Sequence, residues 1–209
     1  DIDVWSSNNF LLHPYIVPDF HHIEIKPKKN GELFRNLMKA KSNCYTKTTW
    51  LFDKKKRSFI LDYLHDNWKN SVYLYEKHNR DMRNGFYTPS MNNVCRLSCS
   101  TKEIDANLTV IVDMMYKVGY KTVYFLGVDL SSSGYFWTGV KRYFGVNIPD
   151  SMDVDISGSS KSNMHSTQNT AKFLEEFSEH NNINYINLAC DSLLSRHMPY
   201  MGIREFVVS

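Results

Sequence analysis

The chain has 209 residues, 42% of them hydrophobic, with a formal net charge of +3. It is long enough for a real core and too weakly basic to argue for a nucleic-acid surface. Cys44, Cys95, Cys99 and Cys190 show neither CxxC nor zinc-finger spacing, and no apolar run reaches ~18 residues, which excludes a zinc module and a membrane-spanning helix.

Ile2-Asp3-Val4-Trp5 reads as a short strand that stops at Ser6-Ser7-Asn8-Asn9. His22 to Lys26 alternates polar and apolar residues like a half-exposed strand, and Asn30-Gly31 ends it. Glu32 to Lys41 has helical spacing through Leu33, Leu37 and Met38. Thr48 to Phe52 reads as a strand, and Ser58 to Trp68 as a helix with Phe59, Ile60, Tyr63 and Leu64 on one side. The basic runs Lys26-Pro27-Lys28-Lys29 and Lys54-Lys55-Lys56-Arg57 read as solvated loops or helix ends.

The strongest helical pattern spans about Lys102 to Val118. It opens with the capping box Ser100–Glu103 and closes at Gly119. Tyr120-Lys121 then leads into Tyr124-Phe125-Leu126-Gly127-Val128-Asp129-Leu130, which reads as a buried parallel strand with a carboxylate at its end. In open α/β sheets ligands bind beyond such ends, although an Asp capping a turn after a core strand is the plainer meaning. Residues 131–164 are rich in Gly, Ser, Asn and Pro, and within them 151–163 read as mobile, which suggests a lid. A helix from about Thr170 to His180 and a strand from Ile183 to Leu188 follow. Helix, strand, lid, helix, strand argues for a parallel α/β sheet.

His165 lies where the expected lid meets the helix expected from Thr170. A nearby helix N-terminus disfavours imidazolium, and a neutral imidazole is a suitable general base toward a hydroxyl; an exposed hinge histidine is the alternative. The other seven histidines have no metal-ligand pattern. His21-His22, being adjacent on a strand, point to opposite faces, so no metal site is expected. Asn8-Asn9, if only a turn, is expected in left-handed geometry.

In this order the pieces resemble the bacterial lipooligosaccharide sialyltransferase family, which transfers sialic acid from its cytidine monophosphate (CMP) adduct. Asp3 to Phe10 looks like the family's second strand with its nucleotide-side Asn. Val118 to Asp129 looks like its LGYK-strand-Gly-hydrophobic-Asp segment. His165-Ser166 through Glu175, with Asp191-Ser192-Leu193-Leu194, looks like its His-Ser-Asn-Thr helix and its Asn/Asp-Ser-Leu-Leu ending. The resemblance implies an α/β, Rossmann-like single domain over 1–209 with a parallel sheet, a GT-A-like sialyltransferase variant with a flexible lid at 131–164. It also implies metal-independent catalysis without a cofactor. His165 would be the base. Asn8 and Asn9 would meet the nucleotide, together with Ser131, Ser132, Ser133, Gly134, Tyr135 and Tyr143. Neutral phenols and backbone N–H groups suit a departing CMP phosphate. The partners implied are a CMP-activated acidic sugar and a glycan or glycolipid acceptor, not nucleic acid. The expected place is cytoplasmic, at the inner face of the cytoplasmic membrane. Peripheral membrane contact, through the basic runs and through His197, Tyr200 and Phe206, and a homo-oligomer stay open. The family's opening strand and Gly-Asn-Gly-Pro-Ser type loop have no counterpart ahead of Asp1, so a first strand is expected to be missing. Ser131 and Trp137 stand where the family's lid tyrosines align.

Two other activities compete. Kdo transferases with sialyltransferase-like folds use CMP-Kdo, and some retain configuration, which calls for a carboxylate nucleophile; Asp129 is the candidate. A magnesium-dependent phosphotransferase resembling pterin pyrophosphokinases would need convergent carboxylates, with only Asp129, Asp150, Asp153 and Asp155 at hand. A non-catalytic nucleotide-sugar-binding domain is the third reading.

Overall fold

The computed structural model describes residues 2–24, 31–53, 72–77, 96–97, 107–128, 141–143, 145–148 and 160–208. They divide into two compact units, the first built from 1–78, 87–98 and 135–154, the second from 79–86, 99–134 and 155–209. The expected lid therefore contributes to both units.

In the first unit, β1 (Trp5–Ser7), β2 (Phe20–Ile23), β3 (Thr49–Asp53) and β4 (Val72–Lys77) form a parallel sheet in the order 1-2-3-4. The two-residue β5 (Arg96–Leu97) pairs with β4, again parallel. Parallel strands need a crossover on each connection. Between β1 and β2 it is a short 3-10 helix, Asn8–Leu12, which buries Leu11 and Leu12. Between β2 and β3 it is α1 (Gly31–Ala40). Apolar residues at 33, 34, 37 and 38 give α1 one apolar stripe, and Glu32 in its first turn and Lys39 in its last suit the helix dipole. That stripe packs with Ile23, Trp50 and Phe52 of the sheet and with Leu11 and Leu12. Each such side chain, fully buried, stabilises the fold by about 1.5–3 kcal/mol.

The antiparallel pair β7 (Arg142–Tyr143) and β8 (Val146–Asn147) turns through Gly145 at φ +78° and seats Ile148 in this same core. This part of the expected lid is a packed hairpin.

In the second unit, α2 (Asn107–Val118) ends in Gly119, whose φ of +107° lets its N–H and that of Tyr120 close back on the Met115 carbonyl. β6 (Thr122–Phe125) follows. α3 (Ser160–Asn181) leads to β9 (Asn184–Asn187), which pairs with β6 in parallel from Thr122↔Asn184 to Phe125↔Asn187. A 3-10 turn, Leu193–Arg196, and α4 (Ile203–Val208) complete the unit. Its core gathers Val112, Val123, Phe125, Ala171, Leu174, Ile183, Tyr185 and Leu194.

Four sequence expectations need correction. β1 covers Trp5–Ser7 rather than 2–5, so Ser6 and Ser7 belong to the strand instead of ending it. β2 starts two residues early and buries both histidines, because each finds a side-chain partner inside, so its polar positions are not its solvent face. β6 ends at Phe125 rather than running to Asp129, since Gly127 takes a left-handed φ of +68° that breaks extended geometry. α3 begins at Ser160, not near Thr170, so residues 160–163 of the expected mobile stretch are helical. The helix expected over 58–68 and the capping box Ser100–Glu103 lie outside the described residues.

Candidate functional site at the strand ends

A sheet of sequential order has no reversal in strand order, so the crevice rule singles out no point within β1–β4. What stands at their carboxyl end is the Asn8 turn. Asn8 has φ +46°, a left-handed value that asparagine tolerates, and its Oδ1 accepts the Glu24 N–H at 2.8 Å. That bond ties the exit of β1 to the exit of β2. The left-handed geometry is what the plain turn reading expects of Asn8. Asn9 contributes its backbone to the 3-10 helix; its side chain lies outside the described residues.

Behind this turn the interior is polar and aromatic. Ser6 Oγ lies 2.6 Å from His21 Nδ1, His22 Nε2 bonds the Tyr75 hydroxyl, and His21 stands edge-on to Trp50 at 5.3 Å. Burial, with smaller contributions from His22 and Lys41, pushes the His21 imidazole down to about 3 against a weak opposing pull from the Asn8 backbone, so it is neutral at physiological pH. Lys41, just beyond α1, donates to the His13 carbonyl at 2.6 Å and sits 5.2 Å from the Tyr45 ring centre and 5.4 Å from that of Tyr143. Burial pushes its amine down to about 8 and the Tyr143 phenol up to about 12. Tyr143, expected as a lid tyrosine, is thus held on the hairpin against a cation.

In the second unit the carboxyl ends of β6 and β9 meet one hydrogen-bonded loop. Asn187, fully buried, accepts the Ala189 N–H at 3.1 Å and donates to the Ala189 carbonyl at 2.6 Å and to Ser195 Oγ at 2.8 Å. Ser192 Oγ donates to the Val128 carbonyl at 2.6 Å and accepts the Leu194 N–H at 3.1 Å. Phe125 accepts the Leu188 N–H, so the loop after β9 is pinned to the exit of β6 twice. Asp129 follows Val128 directly and lies outside the described residues, as do Ser131, Ser132, Ser133, Gly134 and Tyr135.

The backbone of His165 lies in the second turn of α3, five residues before the buried Thr170 and away from the helix start; its side chain lies outside the described residues. A helix N-terminus acts only within its first turn, so the dipole expected to keep His165 neutral is weaker than the sequence suggests.

Near the carboxyl terminus, His197 Nδ1 pairs with Glu175 at 2.8 Å and Phe206 packs on Tyr124 at 4.7 Å, while Tyr200 is exposed. Both basic runs lie outside the described residues. Among the described residues no three His, Cys, Asp or Glu side chains cluster as metal ligands, and no helix is long and apolar enough to cross a membrane.

Sequence reasoning passed over three features: the Ser6–His21 pair, Lys41 and the clamp formed by Ser192. The adjacent histidines beside aromatic strands hinted at the first; nothing local in the sequence marks the other two, whose partners lie 28 and 64 positions away. No protein-family model matches the chain, and neither a curated protein nor a solved structure shows significant similarity to it.

Proposed function

We propose that the chain is a glycosyltransferase that moves an acidic keto-sugar, of sialic acid or Kdo type, from its CMP adduct to a bacterial surface glycan at the inner face of the cytoplasmic membrane. The fold in this reading is a Rossmann-like GT-A variant. The observation that carries it is that the resembling segments of the chain's second half, 118–129, 165–175 and 191–194, belong to one compact unit, with Ser192 bonded to the Val128 carbonyl. That bond brings the last of these segments to the exit of β6, and an α/β sheet presents reactive groups at strand exits.

In this reading an acceptor hydroxyl gives its proton to His165 as its oxygen attacks the anomeric carbon, and the bond from that carbon to the CMP phosphate breaks. Ser131, Ser132, Ser133 and Gly134, of the same unit as His165, offer donors to the phosphate that stabilise the departing charge without a divalent ion. The tether at Val128 favours a second form of the same activity. It fixes the residue next to Asp129, as a carboxylate nucleophile requires, so that retention through a covalent sugar adduct competes with inversion.

The test is CMP release in EDTA from CMP-sialic acid and from enzymatically generated CMP-Kdo, offered separately. Release abolished by His165→Ala supports the class and names the donor. Inverted product, with partial activity in Asp129→Asn, assigns His165 as base, whereas retained product with a dead Asp129→Asn assigns Asp129 as nucleophile. Turnover of a nucleotide only on adding magnesium sinks the reading in favour of phosphotransfer.

A further inference from the structure

We propose that Ser192 is a positioning residue that sets the path of the chain from β6 into Asp129; its catalytic consequence rests on the transferase reading, its structural part does not. Past Phe125 the chain leaves the sheet. Leu126 is exposed and Gly127 turns through a left-handed φ, so strand pairing no longer guides the backbone. The next described residue, Val128, has its carbonyl caught by Ser192 Oγ at 2.6 Å across 64 positions of sequence.

Ser192 is well placed to act as a fixed point. The residue is 5% exposed, and its hydroxyl caps the 3-10 turn Leu193–Arg196 by accepting the Leu194 N–H. Beneath it, Asn187 locks Ala189 and Ser195 with three hydrogen bonds. One hydroxyl thus has two functions, and they use different chemistry. The cap needs an acceptor, which Ser, Thr, Asn and Asp all provide. The tether needs a donor toward a carbonyl, which ionised Asp lacks. A merely capping serine tolerates aspartate, whereas a tethering serine does not. Because a carbonyl held from the outside fixes the peptide plane that follows Val128, loss of the donor frees the rotation of that peptide.

The discriminating series is Ser192→Thr, Ser192→Asp and Ser192→Ala in the full chain, read by amide hydrogen exchange over 126–130 and 193–197 and by the KM and kcat of CMP release. The expected result is at least tenfold faster exchange over 126–130 in Ser192→Asp and Ser192→Ala, with wild-type exchange in Ser192→Thr. Exchange over 193–197 rises only in Ser192→Ala. In parallel, kcat falls at least tenfold in the Asp and Ala variants with donor KM within twofold, and Thr restores it. Unchanged exchange over 126–130 in Ser192→Asp overturns the tether. Faster exchange with unchanged kcat overturns its positioning role. If wild type releases no CMP from either donor, the transferase reading and the catalytic consequence fall together, and the exchange series alone decides the tether. Should Ser192→Ala fail to fold, the Thr and Asp pair still separates donor from acceptor.

Discussion

In the first unit, the polar groups inside the sheet are joined side chain to side chain between strands, Ser6 to His21 from β1 to β2 and His22 to Tyr75 from β2 past β3 to β4. In the second, buried Asn187 and Ser192 direct their bonds largely to backbone, at Ala189, Val128 and Leu194. Partners of the first kind decide which face a strand presents and which protonation state is buried, but they leave loops to themselves. Bonds of the second kind prescribe the path of a loop and are indifferent to pH over the neutral range. The first unit should therefore register acid and core truncation, and the second should register the loss of single donors at a turn.

The largest effect expected is on the aromatic core of the first unit. Trp50 is fully buried and stacks on Tyr45 at 5.6 Å and Phe52 at 6.3 Å. Trp50→Ala should lower stability by about 3–5 kcal/mol in urea denaturation, and a loss under about 1 kcal/mol would mean that the stack does not organise the sheet.

The next effect is on pH. His21 sits at about 3 in the folded chain against an ordinary 6.5, so the unfolded chain takes up its proton first. Its contribution is fully present above pH 6.5 and is lost as pH falls toward 3, about 1.4 kcal/mol per pH unit and about 2.5 kcal/mol from pH 6 to 4. In the second unit, burial raises the Asp113 carboxyl despite its 2.7 Å bond from Lys117, so protonation there favours the folded form as pH falls through the raised value toward 3.8. Denaturation of wild type and His21→Phe at both pH values separates the two, since the variant should lose most of the acid slope. A slope that persists would assign acid lability elsewhere.

Asn187→Ala should follow, at about 2 kcal/mol, because it removes the partner of the Ala189 N–H, one donor to the Ala189 carbonyl and the bond to Ser195 Oγ. Its mark is local, a rise in hydrogen exchange over 188–195 larger than anywhere in the first unit. An equal rise in both units would erase the contrast between loop-fixing and strand-fixing bonds.

Much of this architecture was legible because periodicity reports burial. Leu33, Leu37 and Met38 marked α1. Ile111, Val112 and Gly119 marked α2 and its end, and the parallel relation of β6 to β9 followed from the helix between them. Alternation misled at β2, where His22 opens what looks like a solvent-facing rhythm yet lies inside, bonded to Tyr75. The end of β6 was misplaced because Val128 continues an apolar run that Gly127 has already turned out of the sheet. Of the candidate site, Asn8 and Tyr143 were legible as residues, but their tasks were not. The bond from Glu24 to Asn8 Oδ1 and the ring over Lys41 depend on chain crossings that no local spacing encodes.

The smallest expected effect on stability is also the most direct probe of the turn. Gly127 has φ +68°, and a Cβ added there would meet nothing within 4 Å, so Gly127→Ala tests backbone conformation alone. Left-handed alanine is disfavoured by about 1 kcal/mol, a modest fall in denaturation midpoint. Gly119, at φ +107° with equally open surroundings, is the matched control: it closes α2 and has no part in the turn before Asp129. Both alanines should lower stability, but only Gly127→Ala should also quicken exchange over 126–130 and slow CMP release. Gly127→Asn should recover part of each, because asparagine enters left-handed geometry more readily than alanine. If Gly119→Ala slows release as much, the loss is one of general stability, and the turn after β6 is a connection rather than a device for aiming Asp129.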